Sequence, residues 1–327
     1  MEKLYDLVAF GESLIDFTPE GVNELGMQLF SCNPGGAPAN VLAMFSRLGG
    51  RTAFIGKVGD DDFGRFLIRT MADAGIYVGG VQKDKVVPTT LAFVQLDERG
   101  DRSFSFYRKP GADIMLTRDE VPMELVENSR IFHFGSVSLT DEPCRTATLE
   151  AARKARAAGA VISFDPNYRP LLWKNIGQAK TEIVAALPLT DLLKVSGEEL
   201  VLLTGENDLE AGATVLRSMG PSAVLVTLGP KGAYFQTAQA EEFLPTYDVK
   251  TVDTTGAGDA FLGALLWCLK EKCLNEIRSL SADDWKQAAM FSNAAGSLTT
   301  TAKGAIPAMP EKSAIEKCLK TEKLLKN

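Results

Sequence analysis

The sequence predicts an α/β fold: a mainly parallel sheet covered by helices on both faces, with a small β-flap beside it. Two observations predict it. Short runs rich in β-branched and aromatic residues recur at 4–10 (LYDLVAF), 52–58 (TAFIGKV), 130–137 (RIFHFGSV), 160–166 (AVISFDP), 191–196 (DLLKVS) and 222–228 (SAVLVTL), and each reads as a strand. Longer stretches of helical periodicity lie between or after them, near 40–49, 61–75, 144–159, 177–188, 208–219, 257–273, 282–302 and 311–326. Alternation of this kind is the pattern of βαβ units, whose crossovers impose a parallel sheet. Two places break it. Residues 12–33, and the pair 89–97 and 102–108 joined by Glu98-Arg99-Gly100-Asp101, read as antiparallel strands with a polar turn. These segments are expected to form one flap, placed to cover a ligand or to pair with a second subunit. No internal repeat or low-complexity linker divides the chain, so a single domain over 1–327 is expected, with its lid from about 12–33 and 88–110.

Composition narrows the functional classes. With 45% apolar and 24% charged residues the chain is an ordinary globular sequence. Its 35 Lys and Arg against 42 Asp and Glu give a net charge of −7, which disfavours nucleic acid and anionic membranes as partners. The start, MEKLYDLVAFGESL, lacks the basic lead and apolar run of a signal peptide, and no stretch reaches the roughly 18 apolar residues of a span, so a cytoplasmic location is expected. The five cysteines, Cys32, Cys144, Cys268, Cys273 and Cys318, form no C-x-x-C pair and read as reduced, mostly buried thiols without structural zinc. His133, the only histidine, sits in an apolar strand pattern and reads as a core or pocket-wall residue; a single histidine excludes mechanisms that need two.

The strongest local signal is Val252-Asp253-Thr254-Thr255-Gly256-Ala257-Gly258-Asp259-Ala260-Phe261. Ala257, Ala260, Phe261, Ala264, Leu265, Cys268 and Leu269 stand at helical spacing, so a helix opens on the glycines. The first amides of a helix lack internal partners and carry the positive end of its dipole, and glycines let an anion come close. Gly256, Ala257 and Gly258 are therefore expected to form an anion hole for a transferring phosphoryl group. Asp259, in the first turn, is placed to act as general base toward a hydroxyl; its plainer reading is an acid that favours the helix start. A Walker loop fails on spacing, because the only Gly-Lys, Gly56-Lys57, precedes Val58, and a G-x-G-x-x-G fingerprint fails at Phe261.

On these residues, together with Gly11-Glu12-Ser13-Leu14-Ile15-Asp16, Asn33-Pro34-Gly35-Gly36-Ala37-Pro38-Ala39-Asn40 and Ile55 to Gly64, the chain resembles the ribokinase-like (PfkB) carbohydrate kinases over its whole length. The resemblance implies a three-layer α/β/α sandwich with the flap as a lid over the sugar, and a homodimer formed through the lids. It implies that Asp16, Gly35, Gly36 and Asn40 hold sugar hydroxyls; the glycines also read as a tight turn before a helix. Thr227-Leu228-Gly229-Pro230-Lys231-Gly232 looks like the family's loop around the ATP phosphates and ribose, with Thr227, Gly229 and Gly232 as contacts. Asn293 looks like the residue beside adenine, or else a polar position on a partly exposed helix. Lys194-Val195-Ser196-Gly197-Glu198-Glu199 is similar to the N-x-x-E element, with Ser196 replacing Asn and Glu199 organising Mg²⁺ through water. Asp253 and Thr255, with backbone near Thr299, Ala302 and Gly304, match a loop pair that binds K⁺ in some relatives; Asp253 reads equally as a brace that accepts backbone N–H groups.

Within the family the motifs Phe106-Tyr107-Arg108-Lys109-Pro110-Gly111-Ala112-Asp113, Phe132-His133-Phe134-Gly135-Ser136 and Asp165 to Trp173 resemble fructokinases, implying phosphorylation of the fructose 6-hydroxyl from ATP. Phe106, Arg108 and Arg169 are then expected at the substrate. Two guanidinium groups converging on one pocket would also suit a carboxylate, which keeps 2-keto-3-deoxygluconate as the second reading. A sugar-binding regulatory protein on the same fold is the non-enzyme alternative, and retention of Asp259 with Gly256 and Gly258 separates it from a kinase.

Overall fold

The computed structural model describes residues 3–96 and 102–325. Its strands are β1 Tyr5–Phe10, β2 Leu14–Val22, β3 Gln28–Gly35, β4 Thr52–Gly59, β5 Ile76–Asp84, β6 Leu91–Leu96, β7 Arg102–Tyr107, β8 Ser129–Gly135, β9 Val161–Asp165, β10 Leu192–Ser196, β11 Ala223–Thr227, β12 Ala233–Gln236 and β13 Glu241–Leu244. The helices are α1 Ala37–Arg47, α2 Asp62–Asp73, α3 Met123–Glu127, α4 Cys144–Ala157, α5 Ile176–Ala186, α6 Gly197–Thr204, α7 Leu209–Ser218, α8 Ala257–Leu269, α9 Leu274–Arg278, α10 Ala282–Thr299 and α11 Lys312–Thr321.

A nine-stranded sheet runs in the order β13-β12-β11-β10-β9-β8-β1-β4-β5. Every pair from β5 to β11 is parallel, and only β12 and β13 return antiparallel. The central strands are buried on both faces. Leu7, Ala9, Phe54 and Ile131 look toward α1, α8 and α10, while Val8, Phe10, Phe132 and Phe134 look toward α4 and α5. Alternation of side chains along each strand thus feeds two apolar layers, giving the expected sandwich. The four-stranded lid follows the order β3-β2-β6-β7, joining the two predicted flap segments through a parallel β2–β6 pair. The predicted turn at Glu98 to Asp101 lies outside the described residues.

Three strands escape the sequence pattern. β5 carries Gly79-Gly80 and a polar tail, which weaken its strand signature, yet a Cβ at Gly80 would stand 2.5 Å from the Phe54 carbonyl oxygen of β4. β12 and β13 have four residues each, too few for periodicity to declare itself. The C-terminal limits of the helices also move inward. α10 stops at Thr299 because the hydroxyls of Thr300 and Thr301 donate to the carbonyls of Ser297 and Leu298, both at 2.7 Å.

His133 is buried as expected, with Nδ1 3.1 Å from Ser163 Oγ, and burial depresses its imidazole to about 3. All five cysteines are free. Cys144 and Cys318 are buried and Cys268 partly so, but Cys32 and Cys273 are exposed, which corrects the expectation of mostly buried thiols. No helix among the described residues is long and apolar enough to cross a membrane.

Candidate active site

The start of α8 lies at the C-terminal edge of the sheet, where open α/β folds place their ligands. Gly256 precedes it in a left-handed conformation with φ of 78°, and a Cβ there would meet Ala305 Cβ at 2.6 Å. No side chain caps this helix. Ala257 turns its N–H back to Thr254 O at 3.3 Å. The Lys194 ammonium lies alongside, since a Cβ at Gly258 would stand 3.1 Å from Nζ. The helix start and the lysine thus stand side by side, with the lysine's charge shared by Asp165 at 2.9 Å.

Asp259 occupies the first turn of α8 and lines a cavity of about 750 Å³. Its Oδ2 accepts from Asn40 Nδ2 at 2.8 Å, and Asn167 Nδ2 points at Oδ1 from 3.5 Å. Burial raises the carboxyl above the usual aspartate range, Asp165 adds to the rise, and the Asn40 bond, Lys194 and Arg169 oppose it. Lys194 itself pairs with Asp165 at 2.9 Å. Burial alone would lower the lysine, but Asp165, Glu199 and Asp259 hold it above its ordinary value.

The lid supplies the opposite wall. Asp16 on β2 lines the cavity, and burial pushes its carboxyl up to about 6 against the charge of Arg169. Gly35 does not line the cavity but clears space for that carboxylate, because a Cβ would stand 2.2 Å from Asp16 Oδ2. Gly36, with φ of 114°, ends the turn into α1, where a Cβ would meet Glu12 O at 2.4 Å. Asn40, Phe106 and Arg169 line the cavity.

Arg108 does not, which corrects its assignment to the substrate. Its Nε donates to Asp113 Oδ2 at 2.8 Å, Nη1 to Thr140 Oγ1 at 2.9 Å and Nη2 to Val137 O at 3.0 Å. The guanidinium is consumed inside the protein, and paired arginines do not converge on the pocket.

The predicted nucleotide residues divide similarly. Thr227 sits beside Ser196 in the β10–β11 register, and the following loop bends through Gly229 and Gly232 at φ of 57° and 111°. Ser196 and Glu199 form a capping box on α6, and Glu199 Oε1 also accepts from the Tyr168 amide at 2.6 Å. Neither lines the cavity. Asn293 Nδ2 donates to Leu244 O and Pro245 O, both at 3.3 Å, so its amide anchors the end of β13. Asp253 Oδ1 accepts from Thr255 N at 3.0 Å and Oγ1 at 2.7 Å, while Oδ2 accepts from Gly304 N at 3.0 Å. This bond joins the two predicted cation loops. Thr299 turns its hydroxyl into its own helix, to Ala295 O at 2.9 Å, and Ala302 is exposed.

Sequence reading missed Asp165 and Asn167 as neighbours of Asp259. The signal available was Pro166-Asn167, a turn dipeptide in which Asn tolerates left-handed backbone.

An acid beside an uncapped helix start, both on one cavity, is an arrangement with the elements of phosphoryl transfer to a hydroxyl. The chain belongs to the pfkB family of carbohydrate kinases, whose pattern matches residues 4–312. It is 45% identical over 315 residues to fructokinase-1 of Zea mays, covering 94% of this chain and 96% of that protein. Fructokinase-2 of Solanum habrochaites is likewise 45% identical, with 94% of each chain covered. Among solved structures, the fructokinase of Xylella fastidiosa with bound ATP superposes with a TM-score of 0.90 at 35% identity, covering 97% of this chain and 98% of that one. The fructokinase of Vibrio cholerae O395 in its fructose, ADP and calcium ion bound form gives 0.84 at 36% identity over 96% and 99% of the chains.

Proposed function

We propose that this protein is an ATP-dependent fructokinase that transfers the γ-phosphoryl group to the 6-hydroxyl of D-fructose, with Asp259 taking the hydroxyl proton. The observation that carries the reading is the meeting of Asp259, the uncapped start of α8 and lid residue Asp16 around one cavity. Asp16 and Asn40 would hold the sugar so that its hydroxyl faces the phosphorus in line. The raised carboxyl makes Asp259 a better proton acceptor than an exposed aspartate. The amides of Gly256 and Gly258, with Lys194, would absorb the charge that spreads over the phosphoryl oxygens, while the Ala257 amide is turned to Thr254 O. Closure of the lid would exclude water as a competing acceptor.

The fructokinase names of the relatives support fructose, and the ATP-bound neighbour supports ATP. The burial of Arg108 leaves Arg169 as the single guanidinium of that pair at the cavity, which removes the argument for a carboxylate substrate such as 2-keto-3-deoxygluconate. No group of three or more His, Cys, Asp or Glu able to hold a metal comes together among the described residues. Magnesium would arrive on the nucleotide phosphates and be met through water, which suits its reluctance to dehydrate. Glu199, with both oxygens on backbone amides, fits no direct coordination. The loops tied by Asp253 are the fitting place for K⁺, through backbone oxygens near Thr299 to Gly304. The lid would also carry a homodimer contact.

Steady-state kinetics test the reading. Fructose should be preferred over 2-keto-3-deoxygluconate and ribose in an ATP-consumption assay, and Asp259→Asn should lower kcat by about two to four powers of ten with little change in fructose affinity. Near-normal turnover in that variant, or preference for the keto-acid, would refute it.

A further inference from the structure

Asn167 is the one non-glycine residue among the described residues with positive φ, at 44°. Left-handed backbone is costly for a residue with a Cβ, least so for Asn and Asp, and persists where surroundings impose it. Here the surroundings are explicit. Asp165 ends β9 fully buried; its Oδ1 accepts the Asn167 amide at 3.0 Å and its Oδ2 is held by Lys194 at 2.9 Å. One residue further, the Tyr168 amide is held by Glu199. Two buried carboxylates thus clamp consecutive amides of the turn and fix where the Asn167 side chain goes.

That side chain goes to the base. Asn167 Nδ2 lies 3.5 Å from Asp259 Oδ1, while Asn40 Nδ2 holds Oδ2 at 2.8 Å. The carboxylate is therefore faced by one asparagine amide on each oxygen, one from α1 and one from the clamped turn. A carboxylate with a donor on only one oxygen can rotate about its last bond; a donor on each fixes the plane in which a proton is accepted.

We propose that Asn167 is a positioning residue for Asp259: the turn clamped by Asp165 and Lys194 presents its amide to the base, fixing the orientation of the carboxylate and favouring its ionised form. This rests on the reading of Asp259 as general base. The charged groups facing Asp259 are Asp165 from the end of β9, Lys194 from β10 and Arg169 from the same turn; none changes in the variants below.

Asn167→Gly and Asn167→Asp both keep a residue suited to the left-handed turn, so unfolding temperatures near that of the wild type are expected. Each should lower kcat about tenfold, as loss of a hydrogen bond to a charged group does, with fructose KM nearly unchanged. The acid limb of kcat/KM against pH should move to higher pH in both. The shift is larger for Asn167→Asp, about one pH unit, because a second carboxylate then faces the base. In an Asp259→Asn background Asn167→Gly should add no further loss. Wild-type kcat and an unmoved acid limb in both variants, or a change confined to fructose KM, overturns the positioning role. If Asp259→Asn alone keeps turnover, the base reading falls and this inference with it; if it abolishes turnover while the Asn167 variants behave as wild type, only this inference falls.

Discussion

A Cβ atom on Gly35 would stand 2.2 Å from Asp16 Oδ2, so Gly35→Ala forces that carboxylate away from the sugar wall. Overpacking of this kind costs about 1–3 kcal/mol. Spent on the substrate contact, it should raise the KM for fructose by about tenfold or more. A kinetic assay that finds KM unchanged would show that Asp16 does not hold the sugar. At this scale some roles were legible and others not, for a physical reason. The place of Asp259 in the first turn of α8 could be read because it depends on its own helix, whose periodicity and glycines are local. The fates of Arg108 and Asn293 depend on Asp113, Thr140 and the end of β13, partners that only the fold supplies. Asn167 went unread for the same reason: its amide matters through residues from α8, β9 and β10.

Between elements, Arg108 fastens the root of the lid. It follows β7, while its partner Asp113 also accepts from Thr90 Oγ1, just before β6, at 2.5 Å. Thr140 and Val137 O, on the segment after β8, accept from Nη1 and Nη2. Both strands of the lid hairpin are thus tied to the main body by one buried cation. Arg108→Met leaves Asp113 buried without its counter-charge, and breaking such a pair costs about 3–5 kcal/mol. Chemical denaturation should show a loss of that size, with the order of preference among sugars unaltered. A stable variant with altered preference would return Arg108 to the substrate. Elements with long apolar runs, β1, β4, β8 and β11, were legible because burial on both faces leaves no other composition. β5, β12 and β13 were not, because edge position and short length let glycine and polar residues stand in a strand whose pairing is decided by its neighbour.

For the whole molecule, the two faces of the lid differ. Along β2, Asp16 and Thr18 look into the cavity, whereas Phe17, on the opposite face, stacks on Phe93 at 4.7 Å. Phe30 and Tyr107 each pack edge-on against Phe93, at 5.7 and 5.5 Å. Near its root this face rests on the main body through Ile15, Val58 and Leu67. Further out the chain covers it less, and Tyr107 and, at the hairpin tip, Leu25 remain 66% and 81% exposed. A row of rings between β3 and β7, the edge strands of this sheet among the described residues, is the surface a second lid would cover by isologous contact. Light scattering after gel filtration should therefore give twice the chain mass at micromolar concentration. Tyr107→Glu combined with Leu25→Glu, both at exposed positions, should give single chains with the fold retained by circular dichroism. A wild-type protein that runs as single chains at that concentration would leave the aromatic face to the lid's own packing and remove the dimer from the reading.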